Sequence, residues 1–124
     1  HEKAYSVLID AMDEASKELR PGVIASRIND IITEIMRKKF DGDFSGIGHG
    51  VGLEVHEWPF VGYQYIKNDP IYRDGRLREK NVISIEPQVF HPEFGYLQIE
   101  DEFVVTRSGG KRISDIPLEL ISPS

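Results

Sequence analysis

Apolar residues in the first third of the chain recur every three or four positions, the spacing of one face of an α-helix. The first stripe consists of Tyr5, Leu8, Met12, Ala15 and Leu19. It predicts a helix that ends at Arg20-Pro21-Gly22. The second stripe consists of Ile28, Ile31, Ile32, Ile35 and Met36. It predicts a second helix, with Ser26 as its N-cap and Asp41-Gly42 as its stop.

Beyond Gly46 the apolar residues alternate instead, which is typical of β-strands with one buried face. One strand is predicted over 82–89, with Ile83, Ile85 and Val89 on its apolar face, and another over 96–106, with Leu97, Ile99, Phe103 and Val105. Glu86 and Glu100 then lie on the opposite face of their strands. If both strands share a sheet whose apolar face carries the helices, the two glutamates project from the uncovered face. Residues 62–80 show little periodicity and are predicted to form a long loop.

Composition narrows the class of protein. The 124 residues fit one domain, and the net charge of -6 argues against a nucleic-acid surface. The absence of cysteine excludes disulfides, thiolate catalysis and cysteine-type zinc sites. No apolar run approaches the roughly 18 residues that a membrane span requires. We therefore expect a cytoplasmic protein without a nucleic-acid or membrane partner.

The candidate chemistry lies in the glycine-rich segment 48–56 and in the two strands. The segment holds His49 and His56, and the strands hold Glu86 and Glu100. Imidazole and carboxylate groups together are what a carboxylate-rich metal hydrolase needs. A single histidine near glycines is more often structural, so the prediction rests on the four residues together. Trp58 and Phe60 either line a substrate pocket or anchor the loop that follows.

Three ordered segments carry a resemblance to a known family. Gly48–Glu57, Ser84–Pro87 and Ile99–Asp101, with Val105-Thr106 behind the last, resemble the C-terminal half of a metallopeptidase family. This family comprises methionine aminopeptidases, Xaa-Pro aminopeptidases and prolidases. The first helix and its ending also match, so residues 1–124 are expected to form a partial pita-bread metallopeptidase catalytic domain. The short connection from Glu86 to Glu100 resembles the prolidase and Xaa-Pro branch.

The resemblance implies an α+β pita-bread fold, in which a curved antiparallel sheet has two helices packed on one face. It also implies two divalent ions, Mn, Co, Fe or Zn, held by two aspartates, one histidine and two glutamates. His49 matches the metal-binding histidine and His56 the catalytic one. Glu86 matches a terminal ligand that also suits a proton shuttle, and Glu100 the bridging ligand. The implied substrate is a peptide or dipeptide cleaved at its N-terminal bond, and a homodimer is possible.

The departures from the family pattern limit what this chain is expected to do. None of Asp10, Asp13, Asp30, Asp41 and Asp43 matches an aspartate ligand by position. We therefore expect about half of the catalytic domain, from a truncated or proteolysed chain or a degenerate gene, which is inactive and binds no ion or one ion weakly. Ser45, Gln88 and Gln98 replace residues common in the Xaa-Pro branch, so the resemblance does not imply specificity for a residue next to proline.

Two other functions agree with the same sequence. A metal-independent hydrolase of the creatinase type shares the fold and uses histidine as its acid or base. Altered metal ligands would favour that interpretation, and the three that can be compared are present. A non-catalytic pita-bread module that binds a protein partner is the second alternative, which a parent gene without the two aspartates would favour.

Overall fold

Two helices pack on one face of a six-stranded antiparallel sheet in the computed structural model, which describes residues 1–121 and Pro123. The helices are α1 (Glu2–Ser16) and α2 (Ser26–Lys39). The strands are β1 (Asp43–Gly50), β2 (Glu57–Val61), β3 (Val82–His91), β4 (Gly95–Gln98), β5 (Asp101–Thr106) and β6 (Gly109–Arg112). The sheet order is β2-β1-β3-β5-β6, and β4 pairs with β3. Among the described residues, no helix has both the length and the apolar character to cross a membrane.

The core forms between the apolar stripes of the helices and the apolar face of the sheet. Leu8, Met12, Ile28, Ile32 and Met36 are buried there with Ile83, Ile85, Val89, Phe103 and Val105. The predicted helical and strand faces are therefore confirmed, although Tyr5, Ile35, Leu97 and Ile99 are only half-buried. At Gly46, a Cβ atom would lie 2.6 Å from Cβ of Ile32. Helix α2 thus lies directly on β1, at a distance that glycine alone permits.

Two of the predicted helix boundaries need correction. Helix α1 ends at Ser16, before Arg20-Pro21-Gly22, and turn hydrogen bonds from the N–H groups of Glu18 and Leu19 carry the chain onward. Leu19 stays buried in that turn. Ser26 is the first residue of α2 and not its N-cap, and its N–H donates to Asp74 Oδ1 at 3.1 Å. A carboxylate from a distant loop therefore takes the capping role at α2.

The single strand predicted over 96–106 is divided into β4 and β5. The division falls opposite Pro87, which has no N–H to donate and only accepts from the Ile99 N–H at 3.2 Å. Both strands keep one register against β3, with Gln88 opposite Gln98 and Ile85 opposite Asp101. This register places Glu86 opposite Glu100.

The predicted loop over 62–80 is more structured than its sequence indicates. It contains two short 3-10 helices, Tyr63–Tyr65 and Pro70–Tyr72. Leu77 is 2% exposed and belongs to the core, and Arg76 forms an isolated bridge with Ile24. The segment is thus fixed to the sheet and to the start of α2 by contacts between residues far apart in the chain.

Candidate metal centre

The candidate site lies on the face of the sheet opposite the helices, where β1 and β3 run side by side. His49 on β1 is paired with Ser84 on β3, so His49 shares a face with Ser84 and with Glu86 two residues on. His49 Nε2 lies 3.0 Å from Glu86 Oε1 and 3.8 Å from Glu100 Oε1. The structure therefore brings together the histidine and the two glutamates that the sequence singled out.

The helices leave this face of the sheet uncovered, as predicted, yet two of the site residues are buried. His49 is 6% exposed and Glu86 is 8% exposed. The buried Tyr63, from the segment after β2, lies near this pair. Burial raises the pKa of the Tyr63 hydroxyl, and the negative charge of Glu86 raises it further. The carboxylate of Glu86 therefore lies in surroundings where its charge is poorly screened.

The orientation of His49 leaves one ring nitrogen free to bind a cation. Nδ1 lies 2.9 Å from the Gly50 carbonyl oxygen, which accepts a hydrogen bond, so Nδ1 carries the proton in the neutral ring. Nε2 then turns its lone pair toward Glu86 Oε1, and no hydrogen-bond donor among the described residues reaches that oxygen. Two lone pairs at this distance need a proton or a metal ion between them. The donor set fits a divalent ion.

A proton is the alternative occupant, and the pKa of His49 shows its effect. In the protonated ring, Nε2 would donate a hydrogen bond to Glu86, and this raises the pKa of His49 above 6.5, although burial opposes the shift and the Gly50 carbonyl assists it. Proton and metal ion therefore compete for the same nitrogen atom.

His56 lies beside this pair on the exposed side. Its ring centroid is 4.5 Å from that of His49, with the rings edge to face. One potential ligand atom from each of His49, His56 and Glu86 lies within 4.8 Å of the others. His56 is exposed, whereas His49 and Glu86 are buried. A group approaching from solvent would thus meet His56 first.

Glu100 completes the group from the short gap between β4 and β5. Its side chain is 48% exposed, and Oε1 accepts a hydrogen bond of 2.6 Å from the Ser84 hydroxyl. Like charges directly opposite each other across two strands repel, so the pairing of Glu86 with Glu100 is unfavourable without a cation nearby. The pairing therefore also favours a metal ion between Glu86 and Glu100.

The aspartates of the chain lie elsewhere. Asp10 is paired with Lys39 at 3.3 Å, Asp13 with Lys17 at 3.4 Å, and Asp30 accepts a hydrogen bond from the Tyr65 hydroxyl at 3.1 Å. Within residues 1–121, no aspartate joins the cluster of His49, His56 and Glu86.

The contacts of two residues near the site were not predicted from the sequence. Gln98 Nε2 donates to Glu86 Oε2 at 3.0 Å. Asp101, next to Glu100, turns to the helix side, is 7% exposed and forms an ion pair with Arg112 Nε. Its position in the alternation, in step with Ile99 and Phe103, was the signal for this burial.

The aromatic residues after His56 anchor the chain. Phe60 is 5% exposed, and its ring centroid lies 5.3 Å from that of Tyr63 and 4.8 Å from that of Tyr72. Trp58 is half-buried, with the Arg78 guanidinium 5.7 Å from its ring centroid. Of the two interpretations open from the sequence, these contacts favour anchoring the loop.

Comparison with known proteins places the chain in a family. The sequence profile of Metallopeptidase family M24 matches residues 1–107. The chain belongs to this family. An M24 relative, the Xaa-Pro dipeptidase of Pyrococcus horikoshii, is 36% identical over 94% of the chain, and that of Pyrococcus furiosus is 34% identical over the same share. The match covers 32% of either relative, so the chain spans about a third of their length.

Solved structures of similar proteins agree with this assignment. The prolidase from Pyrococcus horikoshii superposes with a TM-score of 0.75 and 36% identity over 94% of the chain and 32% of that protein. The X-Pro aminopeptidase from Thermotoga maritima gives 0.76 and 28% identity over 93% of the chain and 31% of that protein. The predicted α+β pita-bread fold is therefore confirmed, and so is the M24 resemblance.

Proposed function

We propose that this chain carries the C-terminal share of the two-metal site of an M24 peptidase of the prolidase branch. The parent enzyme would hydrolyse N-terminal bonds of peptides or dipeptides. The observation that carries the proposal is the convergence of His49 Nε2 and Glu86 Oε1 at 3.0 Å, where no donor separates two lone pairs. The similarity to Xaa-Pro dipeptidases supports the choice of branch.

The residues present would hold metal in distinct ways. His49 and Glu86 are proposed as terminal ligands, and Glu100 as the bridging ligand. Hard carboxylates with one imidazole suit Mn, Co, Fe or Zn. When bound, such a pair of ions polarises a carbonyl group and lowers the pKa of a shared water. The presence of the three ligands that can be compared argues against a metal-independent hydrolase of the creatinase type.

The remaining steps use side chains at the edge of the cluster. His56, exposed beside His49, is proposed to donate a hydrogen bond to the substrate carbonyl oxygen as negative charge develops there. Glu86 is proposed as the proton shuttle as well, because a carboxylate beside the ion would be within reach of the water that the ion would hold. The Ser84 hydroxyl orients Glu100 for its role.

The chain alone is proposed to be inactive, since none of its described aspartates reaches the cluster. A single ion would bind weakly to the three ligands, with water completing its shell. The full enzyme is proposed to work in the cytoplasm, which the lack of cysteine favours.

The test compares this chain with the longer product of the same gene, assayed on Xaa-Pro dipeptides with added Mn or Co. We expect no turnover by the chain, turnover by a longer product that supplies two aspartates on neighbouring strands, and loss of that turnover in His56→Ala. His91→Ala serves as the matched control, because His91 stacks on Phe94 away from the site. A longer product without such aspartates, or activity that survives His56→Ala, would overturn the proposal.

A further inference from the structure

A row of hydrogen-bonded neutral side chains leads away from Glu86 across the sheet. Strand pairing sets Ser45, Gln88 and Gln98 opposite one another on β1, β3 and β4. The Gln88 amide group lies 2.7 Å from Ser45 Oγ, and the Tyr96 hydroxyl contacts the amides of both Gln88 and Gln98. We call these four residues the Tyr96 relay.

The charge of Glu86 fixes the direction of the relay. A carboxylate only accepts hydrogen bonds, so the Gln98 amide nitrogen faces Glu86 Oε2, at 3.0 Å, and the Gln98 carbonyl faces Tyr96. The Tyr96 hydroxyl must donate to that carbonyl.

The single proton of the Tyr96 phenol lies between two carbonyl oxygens, those of Gln98 and Gln88. The Gln88 amide nitrogen points the other way and donates to Ser45 Oγ at 2.7 Å. Tyr96 is therefore the residue through which Gln88 and Ser45 are linked to Gln98.

The two carboxylate oxygens of Glu86 have different contacts. Oε2 is held by Gln98, whereas Oε1 has no hydrogen-bond donor and faces His49 Nε2. Without Tyr96 the Gln98 amide loses the contact that fixes its orientation, and the carboxylate is free to turn about its last bond.

We propose that Tyr96 is a positioning residue of the metal centre, which acts through Gln98 to keep Glu86 Oε1 directed at the ion. The proposal rests on the proposed metal-binding function. Partners that orient a ligating carboxylate typically change metal affinity by about 10- to 100-fold when removed. Tyr96 touches Glu86 only through Gln98, so the effects of the two residues must not be independent.

The experiment is a double-mutant cycle on the purified chain, with the dissociation constant for MnCl2 measured by calorimetry. We expect Gln98→Met and Tyr96→Phe each to weaken binding, by about tenfold for Gln98→Met. The double variant should bind no more weakly than Gln98→Met alone. Tyr65→Phe is the matched control, because Tyr65 and Tyr96 are both 59% exposed. The Tyr65 hydroxyl donates to the Asp30 carboxylate, away from the site.

Unchanged affinity in Tyr96→Phe, or losses that multiply in the double variant, would overturn the proposal. A second measurement does not need metal: the side-chain amide proton signals of Gln98 should shift in metal-free Tyr96→Phe and not in Tyr65→Phe. If the Gln98 signals do not shift, the proposal is also overturned. If the unmodified chain binds no Mn while the amide shift occurs, the proposed metal-binding function fails and the relay remains.

Discussion

At the scale of single residues, the candidate site depends on how His49 is held. The Gly50 carbonyl fixes the proton on Nδ1, and the neighbouring strand directs Glu86 Oε1 at Nε2. A ligating histidine commonly has its second nitrogen bound to a carbonyl or carboxylate in this way. A backbone carbonyl of β1 thus orients the His49 ring so that Nε2 can bind an ion.

The proposed roles of the two histidines predict different mutant behaviour. His49→Ala should abolish metal binding to the chain, whereas His56→Ala should change the dissociation constant by less than about threefold. In the intact parent, His56→Ala should lower turnover by about 10² to 10³, because its hydrogen bond forms as charge develops. Metal content and steady-state kinetics separate the two effects. Equal loss of metal in both variants would make His56 a ligand.

Metal binding should also depend on pH through His49. Its pKa is raised above 6.5 by the hydrogen bond with Glu86, and a protonated imidazole cannot ligate. Affinity should therefore fall about tenfold per pH unit below the raised pKa, since one proton is displaced. Calorimetry with Mn over a pH series measures this slope, and a flat profile would contradict His49 ligation.

Without metal, the folding stability of the chain should change with pH in the direction opposite to the metal affinity: it should fall as the pH rises. A raised pKa means that the folded state binds the proton more tightly than the unfolded state. The His49–Glu86 pair then stabilises the fold fully below pH 6.5, and this contribution is lost as the pH rises through the raised pKa.

The sequence predicted part of this site because strand alternation is a local signal. Alternation put Glu86 and Glu100 on one face, the glycine-rich segment offered His49 as a candidate, and the resemblance implied its role as a ligand. Gln98 was not recognised as a partner of Glu86 because that contact depends on the register between β3 and β4, which the residues alone do not fix. The burial of His49 and Glu86 was not predicted either, and the buried Tyr63 near them comes from a segment without periodicity.

At the scale of elements, the close approach of α2 to β1 supports the strand that carries His49. Gly46→Ala places a Cβ atom 2.6 Å from Ile32 Cβ and should destabilise the chain by about 2 kcal/mol. Ile32→Ala alone should cost about 3 kcal/mol by leaving a cavity. Because the two changes compensate in volume, the double variant should lose less than the sum in urea unfolding. Strict additivity would contradict the packing described for α2.

The ion pair between β5 and β6 should contribute to stability in a pH-dependent way. Burial tends to raise the pKa of Asp101, but Ser114, Arg112 and the Glu102 N–H together lower it below 3.8. The stabilisation is therefore present above pH 3.8 and is lost as the pH falls through the lowered pKa. Asp101→Asn should cost about 2 kcal/mol at neutral pH, since Arg112 keeps partial contact with solvent.

Urea unfolding at neutral and acidic pH tests this contribution. The difference between the unmodified chain and Asp101→Asn should shrink in acid. Asp13→Asn is a suitable control, because the side chains of Asp13 and Lys17 are exposed. A difference that stays constant with pH would show that the ion pair is not the cause.

The elements themselves were predicted better than their ends. The apolar stripes located both helices, because burial of one face needs only local spacing. The start of α2 was wrong in detail, since its first N–H is bound by Asp74, far along the chain. The amount of ordered structure in the loop containing Leu77 was underestimated for the same reason, because the contacts of this loop are long-range.

At the scale of the whole molecule, the chain corresponds to only part of the architecture of its relatives. It matches about a third of its prolidase relatives, yet it has a continuous core between helices and sheet. Its ligand groups are one histidine and two glutamates, with His56 beside them. We therefore predict that the chain is folded and that its metal site is incomplete.

Calorimetric titration of the purified chain with MnCl2 near neutral pH tests this claim most directly. We predict one ion per chain, bound weakly, because one imidazole and two carboxylates provide three ligands for a single ion. His49→Ala should remove the binding, and His91→Ala, whose ring stacks on Phe94, should not. Tight binding of two ions per chain, or one-ion binding that survives His49→Ala, would contradict the account.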